Sequence, residues 1–302
     1  MQEMAEQNQE ILPLVNDIVL KMYFEDPRNI VQLRQFLKAT LNFCEDDLSE
    51  IKVLNSELLR DQAVDKGLTI DLLIKSKSGN FIHLEMQRQP DREFRIRTQV
   101  YNARIVGGQL KIGEDYCEVK RAISLIITEK RFFADGDEYH ETVMMRRENG
   151  QEFTDIQELN ILDLSKLEMG KSELDPKYLW ARLLKVKTRE ELTLLARESD
   201  EMDQAAKKLD LLSQDEEAWA RKISREYAEF AQKQREHAIT HTARIEAREE
   251  GREEGREEGR EHSIVKTIDI MRDLAIAEDI IAQKLKEKFR LSDVKIKQFL
   301  NS

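Results

Sequence analysis

Two runs of alternating apolar and polar residues, joined by a short polar loop, form the clearest pattern in the chain. Residues 68–75 (LTIDLLIK) and residues 81–87 (FIHLEMQ) each place apolar side chains at every second position, as in a β-strand with one buried face. The loop between them contains Gly79, which adopts a positive φ angle without steric cost. We therefore predict a β-hairpin that carries Asp71 on its first strand and Glu85 on its second.

The rest of the first half of the chain predicts an α/β fold. Apolar residues three or four positions apart indicate helices, and short runs rich in β-branched residues indicate strands. The predicted helices span Ile11–Met22, Ile30–Leu41 and Arg92–Lys111, and the further predicted strands span Ile51–Leu58, Ala122–Phe132, Tyr139–Arg146 and Glu158–Leu164. These elements predict a mixed sheet flanked by helices.

After about Leu167 the apolar spacing is helical to the end of the chain, so an all-helical C-terminal region is predicted. We divide the chain into an α/β domain (1–167), a helical region (168–243), a charged Gly-Arg-Glu-Glu repeat (244–262) and a small helical module (263–302). Each glycine of the repeat lowers helix stability by ~1 kcal/mol relative to alanine. We expect the repeat to be a flexible helical connector, with a close-packed helix dimer as the alternative.

Composition limits the class of protein. Charged residues make up 36% of the chain and aromatic residues only 6%, which is typical of long exposed helices attached to a compact part. The net charge of −11 argues against a protein that coats nucleic acid generally. Cys44 and Cys117 are far apart in sequence, so we expect buried thiols and no disulfide framework or zinc ribbon. Since no signal peptide or membrane-length apolar run is present, we expect a cytoplasmic protein without membrane contact.

Asp71 and Glu85 are the candidate chemical groups of the hairpin. Both point away from its more apolar face, so pairing of the two strands brings the carboxylates together. Neighbouring carboxylates repel each other unless a proton or a cation lies between them. Mg²⁺ suits such a site because it binds through one or two carboxylates and keeps several waters. The alternative is a pair of ordinary solvent-exposed acids on a half-buried hairpin.

The predicted helix after the hairpin is basic. Six basic and two acidic residues give residues 88–111 a net charge of +4 in an acidic chain. A surface that contacts phosphates needs this local reversal of charge. Arg97 and Tyr101 are four residues apart and therefore reach the same region beside the carboxylates. The alternative is a helix whose arginines face only water.

The hairpin and its downstream helix also carry a family resemblance. The stretch LTIDLLIKSKSGNFIHLEMQRQ, followed by FRIRTQVYNARIVGGQLKIGEDY and ISLIIT, closely resembles the recombination-promoting nuclease and transposase family of the PD-(D/E)xK superfamily. The resemblance covers about residues 10–165 and implies a restriction-endonuclease-like mixed sheet. It implies phosphodiester hydrolysis with Mg²⁺, or Mn²⁺ as an alternative, bound by Asp71 and Glu85.

The resemblance assigns further roles to residues of this chain. Gln87 stands where the superfamily commonly has lysine, in the E-x-Q form of this branch, and would orient the attacking water. A neutral amide supplies no positive charge, so three possibilities stay open: Gln87 alone aligns the nucleophile, Lys75 or Arg97 supplies the charge, or the activity is weak. The Met86 carbonyl would be a third metal ligand. The predicted nucleic-acid contacts are Arg88, Arg95, Arg97 and Tyr101. Glu57 is a candidate additional acid.

The sequence therefore predicts a Mg²⁺-dependent DNA endonuclease linked to recombination or mobile elements. Two alternatives stay open. In the first alternative, the chain would be a catalytically silent nuclease fold that binds DNA. In the second, it would be an assembly protein that forms homo-oligomers through its C-terminal helices.

Overall fold

The computed structural model describes residues 10–54, 71–110, 113–167 and 175–301. Contacts divide the chain into two compact units, Met1–Glu226 and Tyr227–Ser302. The first unit contains the sheet, and the second is helical. The α/β fold with a mixed sheet, flanking helices and a helical C-terminal region is confirmed.

Helices form where apolar residues recur at helical spacing and where side chains cap the first turn. Asn16 caps α1, Asp91 caps α3, and Pro176 occupies the first turn of α4. The helices are α1 (Asp17–Glu25), α2 (Ile30–Thr40), α3 (Arg92–Gly107), α4 (Pro176–Lys185), α5 (Arg189–Ala196), α6 (Asp200–Ser213), α7 (Glu216–Asp273), α8 (Glu278–Phe289) and α9 (Asp293–Asn301). Short 3-10 turns lie at Pro27–Asn29, Tyr116–Glu118 and Leu164–Lys166.

Six strands form one mixed sheet in the order β1-β2-β3-β4-β6-β5. They span β1 (Lys52–Leu54), β2 (Leu72–Lys75), β3 (Phe81–Gln87), β4 (Ala122–Thr128), β5 (His140–Arg146) and β6 (Glu152–Asp163). The β2–β3 hairpin is antiparallel, whereas β4 pairs in parallel with β3 on one side and with β6 on the other. Parallel pairing requires a crossover, and α3 provides it between β3 and β4.

Two layers of helices bury the two faces of β3. Ile82, Leu84 and Met86 belong to the main hydrophobic core, which also contains Trp180 of α4. On the opposite face, α3 packs through Phe94 onto β4 and β6 and through residues further along the helix onto β2. Glu85 alternates with the core residues and therefore lies on the side of β3 that α3 covers.

A buried carboxylate outside the sheet holds the β2–β3 loop. Asp47 accepts hydrogen bonds from the Ser76 hydroxyl (3.0 Å), the Ser78 backbone N–H (2.9 Å) and the Asn80 amide (3.2 Å). Gly79 adopts φ +96° between these residues, as the predicted turn requires. These three hydrogen bonds to Asp47, together called the clamp, fix the loop that aligns β2 with β3.

Asp47→Ala is expected to destabilise the protein by about 1–3 kcal/mol, because three donors lose a buried acceptor. Urea unfolding of the parent and the variant measures this difference. Exposed Asp46, which pairs with Lys77 at the surface, is the matched control, and Asp46→Ala should change stability by less than about 1 kcal/mol. Equal effects of the two substitutions would contradict the role of the clamp.

The second unit has its own apolar core and includes the glycine repeat within a continuous helix. Its buried residues come from the end of α7, from α8, from the following turn and from α9, and they are Ile264, Ile268, Ile281, Leu285, Leu291 and Ile296. Gly251, Gly255 and Gly259 all lie inside α7. A Cβ built at any of the three meets no atom within 4 Å, so no neighbour in the structure requires glycine there.

Element boundaries differ from the predictions in several places. The β6 strand begins at Glu152, six residues before the predicted start, because its first half forms a hairpin ribbon with β5. The first described residue of the predicted strand 68–75 is Asp71, and β2 begins at Leu72.

The prediction that both cysteines are buried is wrong, since Cys44 and Cys117 are exposed free thiols in surface segments. None of the helices in the described ranges is long and apolar enough to span a bilayer.

Candidate active site

The β2–β3 hairpin places Asp71 and Glu85 next to each other. The antiparallel pairing ends with Leu72 opposite Leu84, and Asp71 and Glu85 are the next residues beyond that pair on either side. The Met86 backbone N–H donates a hydrogen bond of 2.9 Å to Asp71 Oδ2. The two predicted metal carboxylates are therefore neighbours at one end of the hairpin.

The environment of Asp71 disfavours its charged form. Burial, followed by the negative charge of Glu85, raises the pKa of Asp71 from 3.8 to about 6, although the Met86 N–H acts in the opposite direction. The Asp17 carboxylate, in the first turn of α1, raises the pKa further. Asp71 thus lies in a site of excess negative potential, which a bound cation would relieve.

Glu85 is almost fully buried, with 5% of its surface exposed. One oxygen, Oε1, lies 3.2 Å from Arg97 Nη2 on α3. The other oxygen, Oε2, lies 3.1 Å from His83 Nε2. The contact with His83 is not aligned as a hydrogen bond, and Oε2 has no hydrogen-bond partner among the described residues. A buried carboxylate oxygen without an aligned donor is available to a cation.

The donor set fits a hard divalent ion. Within the described ranges, no group of three or more His, Cys, Asp or Glu side chains is arranged to hold a metal ion. Asp71 and Glu85 nevertheless provide two carboxylates, and Mg²⁺ typically needs no more, because water supplies most of its coordination. The orphaned Glu85 Oε2 and the raised pKa of Asp71 are the two observations that support this fit.

Arg97 lies beside Gln87 and brings a positive charge to the site. Its Nη2 donates to Gln87 Oε1 (3.2 Å) as well as contacting Glu85, and its guanidinium lies 5.0 Å above the Phe94 ring. The Gln87 amide nitrogen donates to the Gln89 carbonyl at 3.0 Å. Lys75 is four residues along the strand from Asp71, roughly 13 Å away at 3.3 Å per residue. Of the two cations considered from the sequence, only Arg97 touches the site.

The other predicted contact residues have different surroundings. Arg88 forms an ion pair with Glu129, with Nε 2.7 Å from Oε2. Arg95 lies 5.1 Å above the Phe132 ring and donates to the Phe132 carbonyl. Both guanidinium groups therefore have protein partners beside the site. The fourth predicted residue, Tyr101, is only 4% exposed, so a direct contact of its side chain with nucleic acid does not fit this geometry. Burial raises its pKa, and the nearby Glu85 carboxylate acts in the same direction.

Glu57, the candidate additional acid, lies outside the described residues.

Two residues near the carboxylates were not among the predicted site residues. His83 is 0% exposed and touches Glu85, and the alternation of β3 already placed it on the same face. Asp17 influences Asp71 from α1, which is more than fifty residues away in sequence. No local pattern connects Asp17 to the hairpin, because only the packing of α1 against the sheet brings them together.

Comparison with known proteins identifies the family. The model of a family described as PD-(D/E)XK nuclease family transposase matches residues 14–238. The match extends beyond the α/β domain into the helical region, further than the resemblance seen in the sequence motifs. No curated protein and no solved structure gives a significant match. Asp71, Glu85 and Gln87 lie inside the matched region, which covers well over half of the sequence. The chain therefore belongs to the PD-(D/E)XK nuclease transposase family.

Proposed function

We propose that this chain is a divalent-metal-dependent nuclease that hydrolyses phosphodiester bonds of DNA, preferentially with Mg²⁺ or Mn²⁺. The observation that supports this most strongly is the neighbouring pair Asp71 and Glu85, with the orphaned Glu85 oxygen and the adjoining Arg97. Family membership favours a nuclease-like role and a divalent metal. The link to recombination or mobile elements rests on the family description alone.

Each residue has a separate task in the proposed reaction. Asp71, Glu85 and the Met86 carbonyl would hold the ion. When bound, the ion would act as a Lewis acid towards the phosphate and make its coordinated water more acidic. Gln87 orients that water through its amide, which first has to leave its contacts with Arg97 and Gln89. Arg97 supplies the positive charge that a neutral glutamine lacks, and this charge offsets the negative charge that develops on the phosphate.

The solvent-facing side of α3 is the proposed DNA surface. Four arginines and a single glutamate give this helix a net charge of +3. Arg92, Arg95, Arg97 and Arg104 are all exposed. A helix end close to the carboxylates and rich in arginine binds a polyanion through phosphate contacts, which carry little sequence information. These contacts fit any nucleic acid, and the family membership supports DNA as the proposed substrate class.

Plasmid cleavage tests the proposed function. The parent protein is expected to nick or linearise DNA with Mg²⁺ or Mn²⁺ and to be inactive with EDTA. Glu85→Ala should remove activity, because it deletes one of the two metal carboxylates. Asp137→Ala is the matched control, since the Asp137 side chain is fully exposed and should be dispensable. A Glu85→Ala protein that cuts DNA as fast as the parent would disprove the assignment.

A silent DNA-binding fold is the second candidate. It is favoured by Gln87, whose amide is already engaged by Arg97 and by the Gln89 carbonyl. This candidate predicts DNA binding by the parent without cleavage at any concentration of Mg²⁺ or Mn²⁺. Metal-dependent cleavage that Glu85→Ala abolishes would exclude it.

Self-association through the C-terminal helices is a further proposal. Several apolar side chains of the second unit are exposed, among them Ile270, Leu274 and Val294. Exposed apolar patches commonly mark protein interfaces. The proposed division at residues 167, 243 and 262 would then separate the catalytic part from an assembly part. If the mass in solution shows the same number of subunits after deletion of residues 240–302, this role is contradicted.

A further inference from the structure

An apolar strip runs along the solvent-facing side of α3 and consists of Ile96, Val100 and Ala103. Ile96 is 59% exposed, Val100 is 40% exposed, and Ala103 is exposed beside them. The three residues are four and three positions apart, so they are neighbours on the helix surface. Exposed arginines flank the strip on both sides, and they are Arg92, Arg95, Arg97 and Arg104. Helix α3 thus presents a surface that is both basic and apolar.

Folding of the described structure does not account for the strip. Helix α3 packs on the sheet through its opposite side, whose buried residues are Phe94, Thr98, Tyr101, Asn102 and Ile105. Ile96 and Val100 are also β-branched, so they favour a helix less than the arginines around them. A ligand that covers the strip would remove from water the apolar area that folding leaves exposed.

Arg95 provides a second kind of surface next to the strip. Its guanidinium lies 5.1 Å from the centre of the Phe132 ring and 5.3 Å from the centre of the Phe133 ring, and it donates to the Phe132 carbonyl. These contacts hold the guanidinium in place, and Arg95 is nevertheless exposed to solvent. A planar guanidinium that is held in one orientation and accessible from outside is a surface on which a nucleobase can stack.

We propose that this side of α3 binds an unpaired strand of DNA, an inference that rests on the nuclease function proposed above and narrows its substrate. In a duplex the bases stack on one another, and the outer surface offers phosphates, for which arginines suffice. An unpaired strand also exposes the faces of its bases, which pack on aromatic, guanidinium or apolar groups. The apolar strip and Arg95 supply such groups between phosphate-binding arginines.

The surface is continuous with the proposed active site. Arg97, on the edge of the strip, also contacts Glu85 and Gln87. The net charge of +3 on α3 complements a polyanion. A strand whose bases lie on the strip would therefore bring a phosphate close to the carboxylates.

Fluorescence anisotropy with a labelled single strand and with the matching duplex tests this choice. The full-length protein is measured in EDTA at one salt concentration, so that cleavage does not contribute. The double variant Ile96→Gln/Val100→Gln removes the apolar contacts without a change in charge, and glutamine favours helices. We expect it to bind the single strand about 10-fold more weakly and the duplex within about 2-fold of the parent, since stacking contributes roughly 5–100-fold per base.

Two further variants separate base contacts from phosphate contacts. Arg92→Gln deletes a charge, so it should weaken binding of both forms of DNA and lower its dependence on salt. Arg95→Lys keeps the charge but loses the planar group, so it should weaken the single strand more than the duplex. Ile223→Gln is the matched control, because Ile223 is also 59% exposed and lies on another helix, α7. It should change binding of neither form.

The outcomes separate this inference from the proposed function. A double variant that weakens both forms equally, or weakens neither, overturns the inference. If it weakens neither form and instead lowers the mass in solution, the strip is a contact between copies of the chain. If the double variant fails to fold, Ile96→Gln and Arg95→Lys are judged by the same selective loss of single-strand binding.

Cleavage is scored separately. A parent that binds neither form of DNA overturns the inference, and plasmid cleavage by that parent with Mg²⁺ would leave the nuclease function standing. A parent that binds single strands through the strip but cleaves no DNA with Mg²⁺ or Mn²⁺ overturns the hydrolysis alone.

Discussion

Asp71→Asn is expected to lower DNA cleavage by about 10³-fold and, at neutral pH, to make the protein more stable. Asparagine has nearly the same shape as aspartate but lacks the charge that holds a divalent ion. Stabilisation of transition-state charge by a bound metal is worth several kcal/mol, which corresponds to a rate factor of about 10³. The variant should keep the hairpin register, because its side-chain oxygen can still accept the hydrogen bond from the Met86 N–H.

The gain in stability follows from the pKa of Asp71. The folded state raises this pKa from 3.8 to about 6, so the fold disfavours the charged form. Stability contributed by protonated Asp71 is present below pH 4 and is lost as the pH rises through about 6. At pH 7 the parent is therefore less stable by about 2–3 kcal/mol than a protein with a neutral group there. Urea unfolding of Asp71→Asn at pH 4 and pH 7 should show the difference mainly at pH 7.

Asp137→Asn provides the control for both measurements, because it removes a fully exposed charge. It should change neither cleavage nor the pH dependence of unfolding. Parental cleavage by Asp71→Asn would contradict the metal role. A variant less stable than the parent at pH 7 would contradict the electrostatic account of Asp71.

Arg97→Ala is expected to lower the rate constant of cleavage by about 10²-fold at saturating Mg²⁺, comparable to the loss of one preorganised donor at a transition state. Nη2 of Arg97 lies 3.2 Å from both Glu85 Oε1 and Gln87 Oε1, so one side chain contacts the proposed metal carboxylate and the amide proposed to orient water. Arg97→Lys should recover only part of the rate. Lysine keeps the charge but lacks the planar group that reaches both oxygens.

Arg104→Ala is the matched control for Arg97, because Arg104 is an exposed arginine two helical turns further along α3. Its loss should weaken DNA binding modestly, reduce the dependence of binding on salt, and leave the rate constant at saturating DNA unchanged. Single-turnover cleavage at increasing DNA concentration separates the two effects. Equal losses of rate constant in both variants would show that Arg97 acts only as a phosphate contact.

Local patterns in the sequence predict the hairpin and the direction of its carboxylates. The alternation in LTIDLLIK and FIHLEMQ requires only that a strand has two faces, and Gly79 marks the turn. The closeness of Asp71 and Glu85 follows from the strand register that this turn sets. The same alternation places His83 on the Glu85 face, but alternation alone does not distinguish a residue that packs from one that contacts the carboxylate.

Contacts between distant segments lie beyond such patterns. The influence of Asp17 on Asp71 depends on how α1 packs on the sheet, and the burial of Tyr101 depends on how deeply α3 lies against β3 and β4. Tyr101 has a polar tip and an apolar body, so its spacing from Arg97 suits a surface contact as well as a buried ring. The exposure of the cysteines has a related reason. Cys44 lies in an irregular segment after α2 and Cys117 in a short 3-10 turn, and apolar periodicity describes neither place.

The place of β3 in the middle of the sheet has a consequence for synthesis of the protein. Strand β2, the hairpin partner of β3, precedes it in the chain. Strand β4, the parallel partner of β3, ends about 40 residues after the end of β3 and follows the whole of α3. A nascent chain therefore exposes Asp71 and Glu85 from the ribosome well before α3 and β4 can enclose them. The carboxylate pair becomes a shielded site only when translation has passed Thr128, so the activity proposed for the chain depends on the completion of a non-local fold.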